Sequence, residues 1–232
     1  MINESVNTRR PDIRDIFNSI SGRYDASNLI LSMGLEKKWR HEFLKLIRPE
    51  HKKVLDACCG TGTSTYQLWK AGNREVSGMD FSGNMIEVAR KKYSLIKGIC
   101  FYKGDVTATG FADGSFDCVT IAFGIRNILE RKKALKEFLR IVRPGGSIVI
   151  LEFNHIESGL FGSLSGMYIR RIMPLMGGIL TGSRQAYDYL AKSIREFPGS
   201  GGFMDLMKAS GWQKTEYRPL SGGICSLFTG QR

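Results

Sequence analysis

The sequence predicts an α/β protein: a doubly wound, mostly parallel sheet of seven strands, preceded by helices and finished by an antiparallel hairpin. Three observations support this prediction. Short apolar runs alternate with helical patterns between residues 53 and 153, and a glycine-rich turn follows the first run. Two further strand-like runs, joined by Gly222-Gly223, close the chain.

The first fifty residues predict helices. Apolar residues recur at spacings of three and four in "RPDIRDIFNSISGRYDASNLILS" and "LEKKWRHEFLKLI". The start "MINESVNTRRPDIRD" lacks the apolar region of a secretory signal. No uncharged apolar stretch reaches the length of a membrane span. We therefore expect a cytoplasmic protein. His41 and His51 lie in the helical N-terminal region, and we expect both on the surface.

The middle of the chain alternates between strand and helix patterns. Its predicted strands are apolar throughout, which is typical of parallel strands covered on both faces; they span 53–58, 75–80, 99–104, 116–123 and 147–153. The helices predicted between them span 64–71, 82–93 and 130–141. The sequence "RPGG" at 143–146 predicts a turn before the fifth strand.

Residues 156–186 interrupt this alternation with an apolar, glycine-rich stretch that contains methionines and is too long for a simple connector. This segment is predicted to form either a core helix with loops or a flexible apolar lid over an apolar substrate. Residues 187–232 then predict a helix and the hairpin. We treat 1–232 as one domain, with a helical extension over 1–50 and a cofactor-binding core over 51–155.

The chain carries a formal net charge of +12, which raises the question of a nucleic-acid partner. The charge is even, because residues 1–53, 54–154 and 155–232 each contribute +4. A polybasic arm would be lopsided, so we expect no nucleic-acid partner. Peripheral contact with a membrane, where Arg170 and Arg171 could face lipid headgroups, stays open. A homodimer also stays open.

The five cysteines show no CxxC spacing and are odd in number, which predicts neither a zinc site nor a disulfide framework. The adjacent Cys58 and Cys59 would point to opposite sides of an extended strand. We expect small buried thiols and no bound metal.

The turn Gly60-Thr61-Gly62 is the first candidate ligand site, because open α/β sheets bind ligands outside the carboxyl ends of their strands. Thr65 stands where a dinucleotide fingerprint has its third glycine, and the Lys-Ser/Thr of a P-loop is also missing. Asp80 closes the second strand, where an acid can accept both ribose hydroxyls, and Asp105 follows the third. Together these residues predict a nucleoside ligand without a pyrophosphate.

Several segments resemble a known family. The stretches "VLDACCGTG", "GMDFSGNMIEVARKK", "KGDVTATGFADGSFDCVTIAFGIRN" and "LRIVRPGGSIVILEF" are similar to the class I, seven-stranded S-adenosylmethionine-dependent methyltransferases. More closely, "FGIRN", "YDASNLILSMG", "YDYLAKSI" and "LSGGICSLFTG" resemble the demethylmenaquinone/ubiquinone-type quinol C-methyltransferases, from about Tyr24 to Gly230. The resemblance implies a Rossmann-like fold, S-adenosylmethionine as methyl donor and C-methylation of a polyprenylated quinol. Demethylmenaquinol is the expected substrate, and the benzoquinol of ubiquinone synthesis is the alternative.

The resemblance also implies where the donor binds. Its methionine part would lie at the Gly60–Gly62 turn with Thr61, its ribose at Asp80, and its adenine at Asp105 and Val106. The remaining predicted cofactor-binding residues are Asp56, Phe81 and Tyr24, the last covering the donor or touching the quinol. The family often has serine at Ala122 and histidine at Glu36 and Phe228, so this chain departs from the pattern there.

Arg126 and Asn127 are the predicted catalytic residues. Loss of a phenolic proton makes the ortho ring carbon nucleophilic, so the site must align that carbon and stabilise charge. The permanently cationic Arg126 would stabilise the phenolate or orient a water, and Asn127 would orient a ring oxygen. A structural ion pair at Arg126, and a base or a plain loop residue at His155, are the alternatives.

Three other functions are less well supported. An RNA methyltransferase would carry an Asn/Asp-Pro-Pro-aromatic or Pro-Cys motif where this chain has "AFGIRN". Thr65 disfavours a nicotinamide oxidoreductase. A binding module without catalysis is disfavoured because Asp80, Asp105 and Arg126 occur together.

Overall fold

The computed structural model of the protein describes residues 34–72, 74–154 and 184–232. Its strands are β1 (Lys53–Ala57), β2 (Glu75–Asp80), β3 (Ile99–Lys103), β4 (Phe116–Ala122), β5 (Val142–Phe153), β6 (Gln213–Leu220) and β7 (Cys225–Gln231). Its helices are α1 (Leu35–Leu44), α2 (Thr63–Lys70), α3 (Gly83–Tyr93), α4 (Arg131–Ile141), α5 (Arg184–Glu196) and α6 (Ser200–Ala209). Short 3-10 turns follow β4 at Ile125–Asn127 and β6 at Ser221–Gly223.

The seven strands form one sheet in the order β3-β2-β1-β4-β5-β7-β6. Strands β1 to β5 are parallel, and β7 lies antiparallel between β5 and β6. The chain runs from β1 outward to β3 and then returns to place β4 on the other side of β1. The strand order therefore reverses between β1 and β4, which opens a crevice at their carboxyl ends. The predicted doubly wound sheet with a terminal hairpin is confirmed.

Alternate residues of the inner strands bury their side chains in opposite layers, as the sequence pattern predicts. Leu55 of β1 packs in a cluster with Phe138 of α4 and Phe203 of α6. Its neighbour Val54 belongs to the cluster on the other face, with Phe43 of α1. Helices therefore cover both faces of the sheet, which explains why its strands are apolar on both sides.

The predicted turn at 143–146 is wrong, because these residues lie inside β5. The pairing of β4 with β5 jumps from Phe116–Val142 to Cys118–Ser147, so the extra residues of β5 form a bulge. Gly145 has a φ of +79° there. A Cβ on Gly146 would lie 2.6 Å from the carbonyl oxygen of Asp117. The two glycines permit this bulge. A turn would contain the same residues, so the sequence "RPGG" alone does not distinguish the two.

Two helices, not one, precede the hairpin. The helix α6 begins with a run of glycines, which lowers its intrinsic helix propensity and hides it in the sequence. Tertiary packing compensates, because Phe203 and Met207 are fully buried against the sheet.

Two surface assignments also differ from expectation. His51 is buried, and Arg48 Nε donates to its Nε2 at 3.1 Å. Burial lowers the pKa of His51 to about 4, so the ring stays neutral. Among the cysteines, all of which are free thiols, Cys100 is exposed and Cys58 half-buried, while the other three are buried as expected.

Several predictions lie outside the described residues: Tyr24, His155, the helical patterns before residue 34, and the insertion with Arg170 and Arg171. Of the helices that the structure describes, none is long and apolar enough to cross a bilayer.

Candidate active site

A cavity of about 780 Å³ opens at the carboxyl ends of β1 to β4. Its walls come from the segments that directly follow these four strands, together with one residue of α1. This is the crevice at the point where the strand order reverses. Its size falls within the roughly 300–1,000 Å³ that small-molecule sites occupy.

The glycine-rich turn after β1 forms one wall. Gly60 and Gly62 have φ values of +54° and +81°, which only glycine adopts without strain. A Cβ on Gly62 would come within 2.9 Å of the Phe101 ring, whereas a Cβ on Gly60 would meet nothing within 4 Å. Gly62 thus lets the turn pack on the sheet, and Gly60 leaves backbone open to the cavity.

Asp80, at the end of β2, holds that turn in place. Its Oδ2 accepts a hydrogen bond from the backbone N–H of Gly60, and its Oδ1 accepts one from Ser82, each at 2.9 Å. Burial raises the pKa of this carboxyl, and the backbone N–H groups oppose that rise. Asp80 lines the cavity, so its remaining lone pairs can accept from a ligand.

Asp56 is buried behind the turn and is not part of the cavity wall. Its oxygens accept hydrogen bonds from Thr65 Oγ1 at 2.7 Å and Thr120 Oγ1 at 3.2 Å. Burial raises the pKa of Asp56 to about 6. The residue that breaks the dinucleotide fingerprint, Thr65, is therefore the partner that ties α2 to β1.

The end of β3 supplies the opposite wall. Asp105 and Val106 both line the cavity, as do Thr61 and Phe81. Asp105 is exposed and accepts a hydrogen bond from the Thr107 N–H at 2.8 Å. Val106 is buried and presents an apolar face. Six of the predicted cofactor-binding residues, Gly60 and Asp80 among them, thus share one cavity.

The two predicted catalytic residues separate at the turn after β4. Asn127 lines the cavity. Arg126 is buried, and its Nη1 donates to Glu152 Oε1 at 2.6 Å and to the carbonyl oxygen of Phe123 at 2.5 Å. The Arg126 backbone N–H also donates to Glu152 Oε2 at 3.1 Å. The guanidinium therefore lies in a buried ion pair that fixes the turn carrying Asn127.

Tyr189 of α5 contacts Asn127 from the other side. Its hydroxyl donates to Asn127 Oδ1 at 3.2 Å, which leaves the N–H groups of the amide Nδ2 as the donors that Asn127 can offer to a ligand. Burial raises the pKa of Tyr189, so it stays protonated and able to donate.

The segments that follow β1 and β4 approach each other closely. A Cβ on Gly124 would lie 2.4 Å from Cys58 Cβ. Cys58 and Phe123, the residues that follow β1 and β4, both have positive φ values, 57° and 61°. Backbone strain of this kind collects at ligand sites.

The thiols beside the turn are not poised for chemistry. Burial, with the negative charges of Asp80 and Asp56, raises the pKa of Cys58 and of Cys59 well above the ordinary value. Both stay protonated, which fits a packing role. Within the described ranges, no group of three or more His, Cys, Asp or Glu side chains is arranged to hold a metal ion.

Arg40 of α1 lines the cavity, and the sequence pattern did not point to it. Arg40 lies on an amphipathic helix that precedes the glycine turn by about twenty residues. An arginine on such a helix is expected on the solvent-exposed face.

Comparison with known proteins gives consistent matches. The profile described as "ubiE/COQ5 methyltransferase family" matches residues 3–232. The "Ubiquinone/menaquinone biosynthesis C-methyltransferase UbiE" of Bdellovibrio bacteriovorus is 42% identical over 94% of each chain. The "Demethylmenaquinone methyltransferase" of Renibacterium salmoninarum is 37% identical, over 98% of this chain and 94% of that one.

Solved structures agree on the fold. A Thermotoga maritima SAM-dependent methyltransferase, described as a possible histamine N-methyltransferase, superimposes with a TM-score of 0.69 at 21% identity. The match covers 94% of this chain and 99% of that one. A SAM-dependent methyltransferase from Aquifex aeolicus matches with a TM-score of 0.60 at 16% identity, over 82% and 88% of the two chains.

Proposed function

This chain belongs to the ubiE/COQ5 methyltransferase family, and on that premise we propose that it methylates a ring carbon of demethylmenaquinol, giving menaquinol. The methyl donor is S-adenosylmethionine. One observation carries the proposal: Asp80, suited to a ribose, and Asn127, suited to a ring oxygen, line the same cavity. A nucleoside donor and an aromatic acceptor can therefore meet there. We assign the whole chain, 1–232, to this one methyltransferase domain.

The residues present fit this donor. Asp80 can accept from ribose hydroxyls, and the apolar Val106 with Asp105 suits an adenine face and edge. Backbone at Gly60 is open to the cavity, so a methionine chain can approach it closely. The Lys-Ser/Thr pair that a phosphate-binding loop needs is missing after Gly62. When bound, S-adenosylmethionine supplies an electrophilic methyl group on a positively charged sulfur.

On the acceptor side, Asn127 orients the quinol. With Oδ1 held by Tyr189, the amide N–H groups donate to a ring oxygen and favour its ionised form. A phenolate oxygen raises electron density on the ortho carbon, which is the atom to be methylated. Because the site is preformed, this stabilisation needs no reorganisation during the reaction.

Arg126 keeps a part in the proposal through Glu152. The ion pair fixes the 125–127 turn and so positions Asn127. A direct contact between Arg126 and the phenolate remains a prediction from the sequence. In the structure, the Nη1 hydrogen bonds of Arg126 go to Glu152 and Phe123.

The experiment incubates the protein with methyl-labelled S-adenosylmethionine and reduced short-chain demethylmenaquinone. The benzoquinol precursor of ubiquinone is run in parallel, because the name of the Bdellovibrio relative covers both pathways. We expect label on the naphthoquinol carbon, and much less with Asn127→Ala. Label on the benzoquinol alone would move the assignment to the ubiquinone pathway, and label on neither would refute it.

We further propose that the protein works at the cytoplasmic face of the membrane, where polyprenyl quinols reside. Leu129 on the cavity rim is 81% exposed, and Lys132 and Lys133 beside it are exposed cations suited to anionic headgroups. Leu129→Glu should reduce sedimentation with anionic vesicles. Leu95→Glu changes a leucine that is 99% exposed, precedes the edge strand β3 and does not line the cavity, so this variant should not reduce sedimentation. Equal binding by both variants and the parent would refute the docking surface.

A further inference from the structure

Arg40 is a cation in the wall of the cavity, held on α1 outside the parallel core. Its side chain is only 12% exposed. The family motifs account for the residues that follow the strands, and none of them accounts for a charge at this position. A long cationic side chain is rarely kept this far from water without a partner.

The guanidinium is fixed by three neighbours. Its Nε donates to Glu36 Oε1 at 2.7 Å, and its Nη1 donates to Ser64 Oγ. Its Cζ lies 5.5 Å from the centroid of the Phe123 ring, which adds a cation–π contact. Ser64 is in the first turn of α2, directly after the Gly60–Gly62 turn. The head group of Arg40 therefore lies at the glycine-turn end of the cavity.

In the part of the chain that the structure describes, Nη2 of Arg40 makes no hydrogen bond, so the edge that it forms with Nη1 can bind a ligand. Arginine presents five N–H groups in a planar fork, and the bond to Glu36 uses only the Nε side. Among the described residues, the hydrogen bonds of Arg40 are made by Nε and Nη1. A second carboxylate can therefore bind the same guanidinium in the fork geometry that arginine favours.

We propose that Arg40 binds the α-carboxylate of the methionine part of the methyl donor. This inference rests on the proposed function. S-adenosylmethionine has one anionic group, the carboxylate, at the end of the molecule remote from the adenine. With the ribose at Asp80 and the adenine at Asp105, that end points to the glycine turn and to Arg40. Arg40 thereby fixes the orientation of the donor in the cavity.

A purely structural role for Arg40 makes a different prediction. If the guanidinium only tied α1 to Ser64 of α2, its loss would loosen the cavity wall. Every ligand of the cavity would then bind more weakly, whether or not it carried a carboxylate. Two ligands that share the nucleoside and differ in the amino-acid part separate the two roles.

The experiment compares S-adenosylhomocysteine with 5′-methylthioadenosine, which lacks the amino acid, by titration calorimetry. For Arg40→Gln we expect S-adenosylhomocysteine to bind roughly ten- to a hundred-fold more weakly, the loss typical of a charged hydrogen-bonded pair. Affinity for 5′-methylthioadenosine should stay within about two-fold. Arg40→Lys keeps the charge without the fork and should show a smaller selective loss, with the fold intact.

Lys103→Gln is the matched control, because Lys103 is a cation on the β3 side of the cavity. It should not distinguish the two ligands. Equal losses for both ligands in the Arg40 variants, or no loss, would overturn the carboxylate assignment while leaving the proposed function in place. Failure of the parent protein to bind S-adenosylhomocysteine at all would overturn both.

Discussion

Nη1 of Arg126 lies 2.6 Å from Oε1 of Glu152, and the two side chains are only 3% and 0% exposed. Both charges have left water, so each depends on the other for compensation. The pair links the end of β5 to the turn after β4, and it places Asn127 on the cavity wall. Its contribution is therefore both to stability and to the geometry of the site.

Breaking this pair should destabilise the protein strongly. Glu152→Ala leaves the Arg126 cation buried without its carboxylate, so we expect a loss of roughly 3–5 kcal/mol in the free energy of unfolding. Glu130→Ala breaks an exposed pair with Lys133 and should cost less than about 1 kcal/mol. Urea unfolding of both variants measures the difference. Similar losses at the two sites would contradict the buried pair.

The contact between Gly124 and Cys58 should show strong coupling. Gly124→Ala forces a methyl group against Cys58 Cβ and should cost about 1–3 kcal/mol of stability. Cys58→Gly removes that Cβ and suits the positive φ of 57°, so the double variant should regain most of the loss. Thermal unfolding of the four proteins tests this. In Gly201→Ala the new methyl meets nothing within 4 Å, so this control should not destabilise.

Asp56 should make stability fall as the pH rises. Burial raises the pKa of this carboxyl to about 6, from about 3.9 in an unfolded chain. The folded protein therefore holds the proton more tightly than the unfolded chain does. The stability that this difference contributes is lost as the pH rises from about 4 to about 6. The loss amounts to roughly 3 kcal/mol. Asp56→Asn should flatten this part of the curve of unfolding free energy against pH, and an unchanged slope would show that other groups cause it.

Asp80 should dominate donor binding on the nucleoside side. Asp80→Asn removes a charged acceptor from a buried position, so S-adenosylhomocysteine should bind roughly ten- to a hundred-fold more weakly. The exposed Asp105 acts in water, and Asp105→Asn should weaken binding only a few-fold. Calorimetric titration ranks the two, and the reverse order would move the ribose away from Asp80.

Tyr189 should affect turnover and not binding. Tyr189→Phe removes the hydroxyl that holds Asn127 Oδ1, and the loss of one such hydrogen bond should lower kcat about two- to ten-fold. The KM for S-adenosylmethionine should not change. Tyr217→Phe alters an exposed tyrosine of β6 and should leave kcat as it is. A kcat for Tyr189→Phe equal to that of the parent would show that Asn127 needs no such support.

Much of this fold is readable from the sequence because it depends on local patterns. Apolar runs such as 116–123 predict strands buried on both faces, and the period of residues 130–141 predicts a helix. The structure has β4 at Phe116–Ala122 and α4 at Arg131–Ile141. The bulge at 143–146 and the helix at 200–209 were not predicted. Glycines weaken the local signal in both segments, and contacts with β4 and the sheet decide the outcome.

The residues of the candidate site also fall into two groups, those that local sequence patterns predict and those that they do not. Local patterns along the chain predict where the strands end, and therefore that Gly60, Asp80 and Asp105 gather at one edge of the sheet, because parallel strands present their carboxyl ends together. The ion pair of Arg126 with Glu152 and the position of Arg40 in the cavity wall follow from long-range packing and could not be predicted in this way. The first depends on the pairing of β4 with β5, and the second on the packing of α1 against the sheet. No periodicity along the chain records such contacts between residues distant in sequence.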